Sequence, residues 1–239
     1  LVTRWFFTGV LTVAPVAFLL WFFYSRDVHR EPRSVLLRTF LLGIAAILPT
    51  LAVALPLSLL QPSAATPIRA SLYAAFVTAA LPEESFKLLV LLGYSARRKE
   101  FDEPMDGLVY GAAAALGFAA MENVLYVVSG GWATALLRAL TAVPMHAACG
   151  AILGYGVAQS RFTARGRSAV LVGLFSAVAV HGIYDFALIG MSTIPLASSA
   201  PGAWILALLV VVIAVLVGSL TWVVRTSRRF RRQQRLEAR

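Results

Sequence analysis

The stretch Ser71-Leu-Tyr-Ala-Ala-Phe-Val-Thr-Ala-Ala-Leu-Pro-Glu-Glu-Ser-Phe-Lys-Leu-Leu-Val-Leu-Leu-Gly93 decides how this chain folds. Apart from Glu83, Glu84 and Lys87 it carries no charge, and it is about long enough to span a bilayer. Two carboxylates near the middle of a membrane helix each cost about 2.5–3.5 kcal/mol even on the lenient insertion scale. On a helix, Lys87 lies four residues from Glu83 and three from Glu84, so it can neutralise one of them. The second acid then needs another partner, a proton or a chemical role.

The rest of the composition agrees with a membrane setting. The chain has 239 residues, of which 59% are hydrophobic and 13% charged, with a mean hydropathy of +0.80. A soluble domain of this size does not need so much apolar surface, and the expected class is an all-α, polytopic membrane helix bundle. The single cysteine, Cys149, excludes an intrachain disulfide. The formal charge of +10 is not gathered on a globular face but sits between apolar runs, which argues against nucleic acid as a partner.

Working outward, seven spans are expected: Trp5–Tyr24, Val35–Leu60 (interrupted by Pro49 and Pro56), Ser71–Gly93, Gly107–Val128, Ala133–Gln159, Ala169–Met191 and Trp204–Val224. They make one bundle over residues 1–225, with a catalytic core at about 71–190, followed by a basic tail at 226–239 read as a solvated anchor on anionic lipid. Of the 21 basic residues, 17 lie in or just beside the connections after the first, third and fifth spans (Arg38 included) or in the segment from Arg225 onward, and only Arg4, Arg69, Lys87 and Arg138 lie elsewhere. The positive-inside rule then puts the N-terminus outside and the C-terminus in the cytoplasm of a multi-pass protein of the inner membrane.

Polar groups recur inside these spans. The fourth reads Gly107-Leu-Val-Tyr-Gly-Ala-Ala-Ala-Ala-Leu-Gly-Phe-Ala-Ala-Met-Glu-Asn-Val-Leu-Tyr126, where Glu122 and Asn123 break an apolar helix and the small residues permit close approach of a neighbour. The fifth carries His146, with Gly150 and Gly154 at four-residue steps. The sixth carries His181 and Asp185, four apart and therefore on one face. At about 1.5 Å per residue from the cytoplasmic ends, Glu84 lies at roughly 15 Å, His181 at roughly 18 Å, His146 at roughly 20 Å, Glu122 at roughly 22 Å and Asp185 at roughly 24 Å. The helices alternate in direction, yet these groups fall in one layer about 10 Å thick, slightly toward the outer face. One shared, water-accessible pocket explains that alignment. The plainer alternatives are a Glu83–Lys87 pair that only holds the fold, Asn123 as glue between helices, and Asp185 as an orienter of His181.

Glu83-Glu84-x-x-Lys87, Phe118-x-x-x-Glu122-Asn123, His146 and His181-x-x-Tyr184-Asp185 together resemble the PrsW family of bacterial intramembrane proteases. Asp27-x-x-x-Glu31-Pro32, just after the first span, looks like that family too. The resemblance covers roughly residues 24–190. In the wider clan of CAAX-processing membrane endopeptidases, the paired glutamates are followed by arginine, and a histidine stands where this chain has Glu122. The resemblance implies endoproteolysis of a membrane-associated protein, such as a single-pass anti-sigma factor cut on its outer side.

The residues themselves suit peptide hydrolysis, which needs an activated water and a stabilised oxyanion. Glu84 is the expected base, with Glu83 pairing or sharing its proton and Lys87 tuning it. His146 and His181 can donate to the oxyanion or position the water, and Glu122 can hold a histidine tautomer or protonate the leaving amine. No cofactor is expected, since no His-Glu-x-x-His motif is present. A zinc site of His146, His181, Glu84 and Glu122 is the metal-dependent alternative. A proton-coupled transporter or a non-catalytic scaffold could use the same acids, although the inverted repeats of many transporters are not evident. The topology has a direct check. Reporter fusions at Arg98 and Arg228 should both report the cytoplasm, and an outward signal at either would overturn the orientation.

Overall fold

The computed structural model describes residues 2–61, 65–194 and 198–237, with side chains from residue 9 onward. The described residues are helical with short connections, and no strand occurs among them. The order is α1 (Val2–Arg26), α2 (Arg33–Ala45), α3 (Ile47–Leu59), α4 (Pro67–Leu72), a π-helical segment (Tyr73–Ala80), α5 (Leu81–Gly93), a 3₁₀ turn (Ser95–Arg97), α6 (Pro104–Leu140), α7 (Ala142–Phe162), α8 (Gly166–Thr193) and α9 (Pro201–Glu237).

Five stretches are long and apolar enough to cross a membrane: Gly9–Arg26, Arg33–Leu59, Pro104–Leu140, Gly166–Thr193 and Pro201–Glu237. The expected third and fifth spans are helical too but fall outside that set; in the third, Glu83, Glu84 and Lys87 interrupt the apolar run. The second span breaks at Ala46 into α2 and α3. Pro49 accounts for this, because it lacks an N–H and its ring collides with the carbonyl four residues earlier, that of Ala45.

Two boundaries differ from the sequence expectation. Residues 133–140, expected as the start of the fifth span, form a short leg of α6, and α7 begins only at Ala142. Between the legs Gly131 has φ 69° and ψ −160°, a conformation open to glycine because it has no Cβ. Apolar character runs on through this corner, so hydropathy alone does not mark it. The second difference is the tail. Residues expected as a solvated anchor continue α9, with Ser227, Phe230 and Gln234 buried on one face; Arg239 lies outside the described residues.

At the centre, α6 packs along α7, with α1 and α2 on its other flanks. The α6–α7 seam is built from small residues. A Cβ on Gly111 would collide with the Gly150 carbonyl, and one on Gly154 with the Gly107 carbonyl. Similarly, a Cβ on Gly43 of α2 would strike the Ala114 carbonyl of α6. Without an apolar driving force between helices in lipid, such close backbone contact is what binds them. Connections rich in basic residues meet at one end of the bundle: Arg161 at the end of α7 donates to the Ala96 carbonyl at 2.6 Å, and Gln234 of α9 donates to Asp27 after α1 at 2.6 Å. Replacing Gly154 with leucine should force α6 from α7 and destabilise the fold by about 1–3 kcal/mol or more. Thermal unfolding in detergent would read this, with Gly218→Ala, which meets open space, as the neutral control.

Candidate active site

Glu83 and Glu84 open α5 directly after the π-helical segment. Pro82 cannot donate to the helix ladder, and the wider π turn absorbs the disruption just ahead of the acids, with Leu81 bonded to the Phe76 carbonyl five residues back. Glu83, Glu84 and Lys87 all face the interior. Lys87 is fully buried, and its Nζ donates to Glu84 Oε1 at 2.8 Å and to Glu83 Oε2 at 3.3 Å. It also lies 2.8 Å from His146 Nδ1 and 4.3 Å from the centre of the Phe118 ring. Phe118 is one turn before Glu122 on α6, so the same helix supplies both an aromatic face for the ammonium and a carboxylate for the histidine.

The two histidines meet edge to face, with ring centres 5.0 Å apart and planes at 84°. An ammonium has only donors to offer, so His146 Nδ1 facing Lys87 is an acceptor and the proton belongs on Nε2. That nitrogen lies 2.7 Å from Glu122 Oε2. Glu122 thus fixes the tautomer of His146, one of the two roles open to it from sequence. His181 Nδ1 lies 2.8 Å from Glu84 Oε1, while its Nε2 is 3.2 Å from Asp185 Oδ2 and 3.8 Å from Glu83 Oε2. Asp185 therefore orients His181 from the next turn of α8. Glu83, Glu84, Lys87, Glu122, His146, His181 and Asp185 meet in this constellation, and Asn123, buried on α6, is tied to it through an arginine, whereas Asp27 and Glu31 lie elsewhere.

That arginine is Arg138, which sequence reasoning left outside the site. Its Nη2 donates to Glu122 Oε2 at 2.7 Å and its Nε to Asn123 Oδ1 at 2.6 Å, and its guanidinium lies over the Tyr126 ring at 4.2 Å. On one straight helix, residues 122 and 138 would stand about 24 Å apart. The corner at Gly131 brings them together. The available signal was an arginine within an apolar stretch, preceded by the pair Gly130-Gly131.

Two features bear on chemistry. Glu84 Oε1 is taken by Lys87 and His181, whereas Glu84 Oε2 is buried with no hydrogen-bond partner among the described residues. A buried carboxylate oxygen left free in this way is costly and calls for an explanation. In addition, ligand atoms of Glu83, Glu84, His146 and His181 all lie within 4.8 Å of one another. Glu83 rather than Glu122 completes that group.

The family model described as PrsW family intramembrane metalloprotease matches residues 31–219. Among curated proteins, the chain is 39% identical to "Protease PrsW" of Geobacillus kaustophilus over 180 residues, covering 74% of this chain and 77% of the relative. It is 34% identical to "Protease PrsW" of Bacillus subtilis over 183 residues, covering 75% and 82%. It is 29% identical to "Protease PrsW" of Clostridioides difficile over 187 residues, covering 75% and 78%. No solved structure matches the chain.

Arg138 gives a prediction that does not depend on the reaction. Arg138→Gln leaves Glu122 with a neutral imidazole as its remaining partner, and breaking a largely buried pair from one side costs on the order of 3 kcal/mol. A clear drop in unfolding temperature is expected, while Arg228→Gln on the exposed face of α9 should change little.

Proposed function

This chain belongs to the PrsW family of intramembrane proteases, and from that premise we propose that it cuts a membrane-anchored protein with a water activated by Glu84. The observation that carries the reading is the free, buried Oε2 of Glu84. A water between this oxygen and a scissile carbonyl loses its proton to Oε2 as its oxygen bonds to the carbonyl carbon. Lys87 and His181 hold the other oxygen, so the carboxylate is fixed in orientation. The negative charge passes to the carbonyl oxygen, where His181 Nε2–H is the donor best placed to turn toward it, released by Asp185. Collapse breaks the C–N bond, and the proton on Glu84 passes to the leaving amine. Glu83 stands beside His181 as a second carboxylate that shares the proton. His146 has both nitrogens engaged, so its role here is to hold Lys87, with Glu122 and Arg138 behind it.

A second reading rests on the donor set. Two imidazoles and two carboxylates with converging atoms are ligands that zinc accepts, and Glu84 has a free oxygen in Oε2. Glu83, Glu84, His146 and His181 would hold the ion, which when bound supplies Lewis-acid polarisation and a more acidic water. Lys87 argues for the metal-free reading. Its ammonium already faces three of those four residues, supplying the positive charge a metal would bring. The proposed substrate is a single-pass membrane protein such as an anti-sigma factor, cut toward its outer side by a bacterial inner-membrane enzyme.

The test is cleavage of a co-reconstituted panel of single-pass proteins by purified enzyme, before and after chelation. Wild type should cut and continue to cut after chelation, and Glu84→Gln should lower turnover by on the order of a hundredfold or more while substrate still co-purifies. Stoichiometric zinc, with activity lost on chelation and restored by zinc, would establish the metal reading instead. Undiminished cleavage by Glu84→Gln would remove Glu84 from the mechanism.

A further inference from the structure

A second group of acids lies at the other end of α6, at the end of the bundle where the basic connections meet. Asp27 follows α1, Glu31 precedes α2, and Glu103 and Asp106 open α6. Part of this arrangement is ordinary helix capping. Asp106 Oδ2 accepts from the Asp102 and Glu103 amides at 2.8 Å each, and acids at a helix N-terminus are favoured by its dipole. Capping does not account for what remains. Asp27 and Asp106 are 3% and 0% exposed, yet Asp27 Oδ2 has no hydrogen-bond partner among the described residues, and Asp106 Oδ1 has none beyond the carboxyl of Glu31 that faces Asp106.

The charge is also left over. Glu31 is 4% exposed and accepts from Tyr110 Oη, and its carboxyl faces that of Asp106. Among the described residues, the ion pair made by these acids is that of Glu103 Oε2 with the half-exposed His29 at 3.3 Å. Gln234 of α9 donates to Asp27 Oδ1 at 2.6 Å and to Glu103 Oε1, and accepts from the Val28 amide at 3.2 Å. It satisfies oxygen atoms without adding charge.

One oxygen-type ligand atom from each of Asp27, Glu103 and Asp106 lies within 4.8 Å of the others. Oxygens around one calcium ion, each about 2.3–2.6 Å from it, are at most about 5 Å apart, so these three can share an ion. The donors are carboxylates without imidazole or thiolate, which selects a hard cation over zinc or copper. We propose that Asp27, Glu103 and Asp106, with Glu31 alongside, form a binding site for a hard divalent cation of the Mg²⁺ or Ca²⁺ class. The ion joins the end of α1 to the start of α6, with Gln234 of α9 bonded to two of its ligands, and it is separate from the glutamate–histidine pocket.

The test is thermal unfolding of the full chain in detergent, stripped with chelator and titrated with MgCl₂ or CaCl₂ at fixed ionic strength. A cation bound by the folded chain alone raises the unfolding temperature with its concentration. Wild type should show an upward shift of several degrees with at least one of the two ions. Asp27→Asn and Asp106→Asn should each abolish most of it, because each loses a charged ligand but retains a side-chain carbonyl for the amides. In chelator both variants should unfold at the wild-type temperature or above, since each removes an uncompensated charge. Glu84→Gln should keep the full shift. The proposal is overturned if wild type does not respond to either ion, if both asparagine variants respond as wild type does, or if the response is lost in Glu84→Gln. Should one asparagine variant fail to fold, the other variant and Mn²⁺ binding to wild type followed by electron paramagnetic resonance decide the matter.

Discussion

The arrangement turns on one buried ammonium. Lys87 is wholly removed from solvent, and taking such a charge out of water costs several kcal/mol unless its donors are all used. Here they reach Glu84, Glu83 and His146, and an aromatic ring lies nearby. Those contacts dictate the rest. Glu84 keeps one oxygen free because the other is taken; His146 must accept at Nδ1, which turns its Nε2–H to Glu122; and Glu122, facing a neutral imidazole, then needs a cation, supplied by Arg138. Each group is placed by the demand of the one before it.

That chain of demands needs helices held at fixed distance. His146 and Glu122 lie on α7 and α6, and the glycines of those two helices are in backbone contact nearer the other end of the seam. A bulky residue there would move the histidine away from its carboxylate without touching either. On the other side, the π turn before Pro82 adjusts the phase of the helix so that both glutamates and Lys87 face inward. Gly182, one residue after His181, presses on the Phe76 ring of that π segment, which ties α8 to the strand of contacts around α5.

Much of this was legible in the sequence because it depends on local periodicity. The spacing of Glu83, Glu84 and Lys87 on one helix, and of His181 and Asp185 on another, follows from 3.6 residues per turn. The common depth of Glu84, Glu122, His146 and His181 follows from rise per residue, and these side chains do converge. What periodicity cannot reveal is a change of direction. Arg138 enters the site only because Gly131 turns the chain, and the apolar periodicity runs on through that corner, leaving the pair Gly130-Gly131 as its one local mark. The docking of residues 227–234 was hidden for a related reason. The high arginine content of that segment suggests solvent, while its buried face consists of just Ser227, Phe230 and Gln234, spaced three and four apart.

The two ends of α6 set buried carboxylates in contrasting surroundings. Around Glu122 the chain provides its own cations, Lys87 within hydrogen-bond distance of Glu83 and Glu84, and Arg138 within that distance of Glu122 itself. At Asp106 it provides a glutamine, a tyrosine and backbone amides, which donate hydrogen bonds but carry no positive charge, and the half-exposed His29 as the partner of Glu103 alone among the described residues. Hydrogen bonds to a carboxylate lower the cost of its burial without cancelling its field on a neighbouring carboxylate. Four acids gathered from two separate parts of the chain therefore repel one another more strongly in the folded state than in the unfolded one. Yet the fold draws them together, with Gln234 brought from the far end of the sequence to complete the group. A counter-charge from outside the chain removes that contradiction, and the oxygen-only donor set states which kind of ion would supply it.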